Sequence, residues 1–221
     1  MFSQTNIANV SSPDLGIQWL KGGSQFENLE EMRTIAKSCL KCGLCQTRNK
    51  VVIEDGNPKA KLMLIGEGPG EQEDLSGLPF VGRAGKLLDK ILEAAQIDRQ
   101  TQTYICNIVK CRPPNNRVPL PEEASACFEY LQSQIYFIKP KIIILLGSTS
   151  VRGLLQIKSP KITQLHGRWI EGQGELFEGI LLMPFYHPSY LLRNPSKETG
   201  KPKWQALEAI KQVKSKLEEF N

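Results

Sequence analysis

Leu62-Met-Leu-Ile-Gly-Glu-Gly-Pro-Gly-Glu-Gln-Glu-Asp74, followed by Leu78-Pro-Phe-Val-Gly-Arg83, decides how the rest of the chain reads. A short apolar run of strand type breaks at Gly66, and Gly66, Gly68, Pro69 and Gly70 fall within five residues. A strand ending in a glycine-rich turn places main-chain N–H groups at the carboxyl edge of a sheet, where open α/β folds bind ligands. Glu67, Glu71, Glu73 and Asp74 crowd the same turn. That acidity argues against a phosphate cradle, and the Gly-Lys-Ser/Thr ending of a Walker loop is absent. The turn suits a neutral, polar ligand met by a carboxylate and backbone donors.

Outward from this stretch, strands alternate with helices. Ala84, Leu87, Leu88, Ile91, Leu92 and Ala95 keep helical spacing on one face. Tyr104–Val109 reads as a second strand, running into the proline-rich Lys110–Arg117. Pro121-Glu122-Glu123 opens a helix whose apolar face includes Cys127, Phe128, Leu131, Ile135 and Ile138. Lys141–Leu146 is the run of a strand buried on both faces. A helix follows Gly147-Ser148, and residues 160–178 read as short antiparallel pieces. Ile180–Phe185 is the last strand, and a helix from about Lys203 to Phe220 closes the chain. The pattern predicts a three-layer α/β/α sandwich with a mostly parallel, four-stranded central sheet. Residues 1–28 read as a weakly structured extension and residues 29–221 as one domain, with Asn28 capping its first helix.

The 221 residues are 40% apolar and carry a formal charge of +5, which permits a nucleic-acid partner without requiring one. No run approaches the ~18 apolar residues of a membrane helix. The start lacks a signal-peptide layout, so the chain reads as cytoplasmic. In that compartment six cysteines point to metal or catalysis before disulfides. Cys39 and Cys42 have metal-pair spacing, Cys45 repeats it, and local sequence does not decide which two of the three bind. Cys111 and Cys127 are distant partners for zinc or an iron–sulfur cluster, and their separation favours the cluster. Cys106 lies within a strand and is expected to pack. His187, after the last strand, is placed to donate to a developing anion, whereas His166 reads as a loop residue without a role. Leu191 and Leu192 beside Arg193 have the composition of an apolar wedge with a phosphate contact, or of a segment docked on the core.

Taken together, Gly66–Asp74, Gly77–Gly85, Asn107–Pro114 and His187–Pro195, with the cysteines, resemble the family 4 uracil-DNA glycosylases, the iron–sulfur type. The resemblance covers roughly residues 36–215. It implies a monomer with the uracil-glycosylase fold, a structural [4Fe–4S] cluster and no organic cofactor, with Cys39, Cys42, Cys111 and Cys127 as ligands. Uracil-containing DNA is the implied partner, with a location at the nucleoid when acting on it, and a repair or polymerase-clamp partner is left open.

The implied chemistry is hydrolysis of the uracil N-glycosidic bond after the base is flipped out. Phe80 would stack on the base and Asn107 would pair with O4 and N3–H. His187 would donate to O2, and Gly68 with Glu67 would offer backbone N–H groups. Other uracil glycosylases handle the water with an Asp or Asn at the position of Gly68. Here that task passes to Glu67, or next to Glu73. The alternatives are a non-catalytic member of the superfamily that binds uracil or single-stranded DNA, and an unrelated hydrolase with a structural zinc.

Overall fold

The computed structural model describes residues 22–220. Chain order runs α1 (Leu29–Lys37), β1 (Asp55–Gly56), β2 (Leu62–Gly66), α2 (Glu71–Ser76), α3 (Arg83–Ala94), α4 (Arg99–Gln102) and β3 (Thr103–Asn107). It continues with α5 (Pro121–Ile138), β4 (Ile142–Leu146), α6 (Ser148–Leu155), α7 (Ile162–Leu165), β5 (Ile170–Glu171), β6 (Leu181–Phe185), α8 (Pro188–Arg193) and α9 (Pro202–Glu218).

The sheet order is β1-β3-β2-β4-β6-β5. The four expected strands, β2, β3, β4 and β6, are parallel throughout. The sheet is larger than the expected four strands, because β1 and β5 add an antiparallel pairing of two residues at each edge. Runs that short carry no period-2 pattern, which is why the sequence reading counts four strands.

Successive strand residues point to opposite faces, and the core divides accordingly. Met63, Ile65, Tyr104, Ile143 and Leu145 pack with α1, α5 and α6 on one face. Leu62, Leu64, Ile105, Ile144 and Phe185 pack with α3, α8 and α9 on the other. This is the three-layer arrangement expected from the alternation of elements.

Asn28 caps α1, its side chain accepting from the N–H groups of Glu30 and Glu31, both at 3.0 Å. The Glu31 carboxylate turns to the N–H of Glu27 instead of to the cap. The expected extension over residues 1–28 lies mostly outside the described residues. Within the described part, Phe26 is buried and stacks on Tyr130 of α5, with ring centroids 5.7 Å apart. Among the described residues no helix is long and apolar enough to cross a membrane.

Candidate active site and cysteine cavity

β2 has β3 on one side and β4 on the other; the chain leaves β2 toward β3 and leaves β4 in the opposite direction, toward β6 and β5. Such a switch point opens a crevice between neighbouring loops. Gly66 ends β2 in register with Asn107, which ends β3. Leu146 of β4 lies opposite Phe185 of β6, two residues before His187. The parallel sheet thus brings Glu67, Asn107 and His187 to one edge.

Their approach depends on Gly66. A Cβ there would lie 2.4 Å from Asn107 Oδ1 and 2.5 Å from Phe80 Cζ, so the bare α-carbon lets both side chains in. The Phe80 ring stands 5.9 Å from the His187 ring, tilted by 39°. Phe80 adopts φ 54°, a left-handed conformation that costs a side chain about 1–2 kcal/mol. Arg99 holds it there. Its guanidinium donates to the carbonyls of Pro79 (2.7 Å) and Phe80 (3.1 Å) while pairing with Asp55 (2.9 Å) and Asp89 (2.6 Å).

Asn107 is buried, and its Oδ1 has no hydrogen-bond partner. An unsatisfied buried carbonyl costs about 1–3 kcal/mol, so this oxygen awaits a donor. His187 caps α8: its Nδ1 accepts the N–H of Ser189 at 3.2 Å and lies 2.7 Å from the Ser189 hydroxyl. Nδ1 as acceptor places the imidazole proton on Nε2. Burial holds the His187 pKa down to about 4, aided by the positive charge of Arg193 and opposed by Glu73. The ring is therefore neutral at pH 7.

Two expectations change at this edge. Glu73 stands as the second choice for handling water, yet its Oε1 accepts from Val81 N–H (2.9 Å) and Gly82 N–H (2.7 Å), and its Oε2 from Gly70 N–H (3.1 Å). Those bonds tie the turns on either side of α2 together and engage both oxygens of the Glu73 carboxylate with main-chain N–H groups. Glu67 is half-buried, and Thr149, at the start of α6, donates a short hydrogen bond to its Oε2. Leu191 stands in the wedge expectation, but it is fully buried against α3 and α9. Of the other residues in that expectation, Leu192 is half-buried and Arg193 exposed. Gly68 sits at the crevice against Val109 and Pro113.

His166, read from sequence as a loop residue, is also packed. It accepts the N–H of Tyr186 at 3.1 Å and stacks on the Tyr186 ring at 3.9 Å. Burial lowers its pKa to about 4 as well. Both histidines are thus held below the ordinary value of about 6.5. The unfolded chain binds more protons than the folded one between pH 6.5 and 4, so stability falls as pH drops through that window. Each histidine supplies a slope of up to about 1.4 kcal/mol per pH unit. Urea melts at pH 7, 6, 5 and 4.5 should show this decline, and His166→Phe should reduce its slope. An identical slope in the variant would exclude His166.

Behind the crevice, Cys39, Cys42, Cys45, Cys111 and Cys127 line one cavity with Arg48, Lys110 and Tyr130. Cys106 is buried in the core and is not part of that wall, as expected from its strand position. Among the described residues no three His, Cys, Asp or Glu side chains converge on a point suited to a single metal ion. Arg48 donates to Cys111 Sγ, and the N–H of Lys110 to Cys127 Sγ, both at 3.3 Å. The buried Tyr130 hydroxyl beside this wall has no hydrogen-bond partner. Asp74, fully buried, accepts from both nitrogens of Asn49 and from Lys50 N–H, tying the segment after Cys45 to α2.

Residues 53–211 match the model of the uracil DNA glycosylase superfamily. The chain is 44% identical over 189 residues to the type-4 uracil-DNA glycosylase of Thermotoga maritima, covering 86% of this chain and 94% of that protein. The chain belongs to the type-4 uracil-DNA glycosylases. It is 42% identical to the type-4 enzyme of Sulfurisphaera tokodaii over 77% of this chain and 79% of that one. The Archaeoglobus fulgidus type-4 enzyme is 38% identical, over 77% and 86%. The matched span of this type-4 chain contains the whole crevice together with Cys111 and Cys127.

Proposed function

We propose that the chain excises uracil from DNA by hydrolysing its N-glycosidic bond, leaving an abasic site for base excision repair. The observation that carries this is the unpaired, buried Oδ1 of Asn107 beside the Phe80 ring and the neutral His187. An aromatic face, an acceptor for N3–H and a neutral N–H donor form the complement of a flipped uracil. Water attacks C1′ as the C1′–N1 bond breaks, and the bonding pair leaves with uracil. His187 Nε2–H donates to O2 as charge builds there, and Glu67, oriented by Thr149, receives the proton from water. Leu192 and Arg193 face the DNA.

The cysteine cavity fits a thiolate-bound iron–sulfur cluster. Its thiols ring a space instead of converging on one point, the Arg48 guanidinium donates to Cys111 Sγ, and the main-chain N–H of Lys110 donates to Cys127 Sγ. Cys39, Cys42, Cys111 and Cys127 would hold the cluster, which supplies a structural cross-link when bound and no electron.

Single-turnover excision tests the reading. An end-labelled oligonucleotide with one uracil should be cut at that site after alkali, and a thymine control should not. Binding without cutting by the iron-replete protein would assign it instead to the non-catalytic members of the superfamily. Glu67→Gln should slow excision by about 10²–10⁴-fold with unchanged DNA affinity. Glu73→Gln should instead lower thermal stability together with activity. Equal single-turnover rates in wild type and Glu67→Gln would remove Glu67 from the chemistry.

A further inference from the structure

Of the four acids in the glycine-rich turn, Asp74 is the one that is fully buried, and the chemistry proposed above does not use it. A carboxylate out of water is costly unless its oxygens are hydrogen-bonded. Asp74 Oδ1 accepts the main-chain N–H groups of Asn49 (2.9 Å) and Lys50 (3.3 Å), and Oδ2 accepts the Asn49 side-chain amide at 2.6 Å. All three donors belong to the segment that follows Cys39, Cys42 and Cys45. Arg48, the residue before Asn49, donates to Cys111 Sγ. Consecutive residues thus hold a cavity thiol and α2. Lys50 also reaches the far end of α2, its Nζ donating to Ser76 O at 3.3 Å.

The same helix holds the turn that carries Phe80. Glu73, next to Asp74, accepts the N–H groups of Val81 and Gly82, the two residues after Phe80. Glu71 lies 3.8 Å from Arg112, which follows Cys111. A helix of six residues is not stable by itself, and its place must come from tertiary contacts. Here Asp74 is the only buried residue of α2. Its position is therefore set by polar bonds, with no apolar side chain driven into the core.

We propose that Asp74 is a positioning residue that couples the cysteine wall to Phe80: through Asn49 and Lys50 it docks α2 on the segment that carries cavity thiols, and Glu73 on the same helix passes that position to the turn holding the stacking ring. The inference rests on the cluster and glycosylase readings above. It gives the cavity wall a route to the crevice. Loosening of residues 39–50 displaces α2, and the main chain of Val81 and Gly82 moves with it. Arg99 holds the Phe80 carbonyl from the other side, so the ring is placed by two clamps, one of which depends on the cysteine segment.

Asn49 is exposed, so a change there opens no cavity in the core. Asn49→Ala leaves Asp74 Oδ2 without its donor. Asn49→Asp sets a second carboxylate against the first, and the like charges repel. Asn49→Asp combined with Asp74→Asn exchanges the two groups and restores a donor facing an acceptor. Each iron-replete protein would be compared for the rate of iron release to a chelator, inhibition of excision by free uracil, and affinity for uracil-free DNA. In Asn49→Ala, iron release should be about fivefold faster and inhibition should need about fivefold more uracil, with unchanged affinity for uracil-free DNA. Asn49→Asp should exceed both changes, and the exchanged pair should return both most of the way to wild type. Asn49→Ala carries the test if Asn49→Asp does not fold. A change confined to one of the two sites would overturn the proposal, because α2 would then not pass the displacement on. Wild-type values at both sites, or an exchanged pair no better than Asn49→Asp, would overturn it equally. Failures of the underlying readings are visible first in the wild type. Absence of iron sinks the cluster reading, and iron-replete protein that leaves uracil in place sinks the glycosylase reading.

Discussion

His187→Ala is expected to lower single-turnover uracil excision by about 10²–10³-fold, while affinity for uracil-containing DNA changes little. Negative charge appears on uracil O2 only as the glycosidic bond breaks, so a donor aimed there acts mainly in the transition state. The ring is suited to this because its Nδ1 takes the Ser189 N–H, leaving the proton on Nε2. Burial keeps the ring neutral well below physiological pH. Stopped-time excision under excess enzyme, paired with fluorescence anisotropy on the same oligonucleotide, separates the two quantities. A variant that loses affinity and rate in proportion would show that His187 holds the ground state and not the departing base.

The second large effect is expected at the main chain behind Phe80. In Gly85→Ala the new Cβ would fall 1.8 Å from the Phe80 carbonyl oxygen and 2.0 Å from its carbon. Main-chain atoms cannot swing aside as a flexible side chain can, so the turn before α3 must move. That turn holds Phe80 at positive φ through the Arg99 guanidinium, and displacing the carbonyl breaks that bond. We expect a stability loss of at least about 3 kcal/mol, a fall of roughly 6–12 °C in melting temperature, and excision reduced by more than about 100-fold as the stacking ring leaves its place. Calorimetry and the excision assay read the two parts. Wild-type melting in Gly85→Ala would mean that the turn relaxes freely and that Arg99 does not define it.

The four parallel strands are legible in the sequence because each is an unbroken apolar run, the signature of burial on both faces. Glu67, Asn107 and His187 are legible for a related reason: each lies at or just past the end of such a run, and parallel strands end on one edge. Three features resist this kind of reading. Glu73 looks as available as Glu67, since sequence does not show that three backbone N–H groups claim its carboxylate. Leu191 and Leu192 are chemically alike, and only the orientation of α8 decides which one enters the core. Lys110, between a strand and a proline loop, shows no sign in the sequence of its full burial, because its acceptors are the Asn107 main-chain carbonyl and a side chain of α5. Thr149 and Arg99 are missed likewise: each bonds a partner on another element, distant in sequence.

The two-residue strands at the borders of the sheet have a consequence for the protein in a crowded, repeatedly heated solution. An open sheet border with a long row of unpaired N–H and C=O groups is a template for runaway assembly between copies. Among the described residues β1 and β5 occupy both borders, and each exposes a ladder only two residues long. The long apolar strands most prone to stacking are sealed in the interior, each between two neighbours. Copies of the folded chain therefore have little with which to zip together, and the hazard is confined to the moments when the sheet itself comes apart.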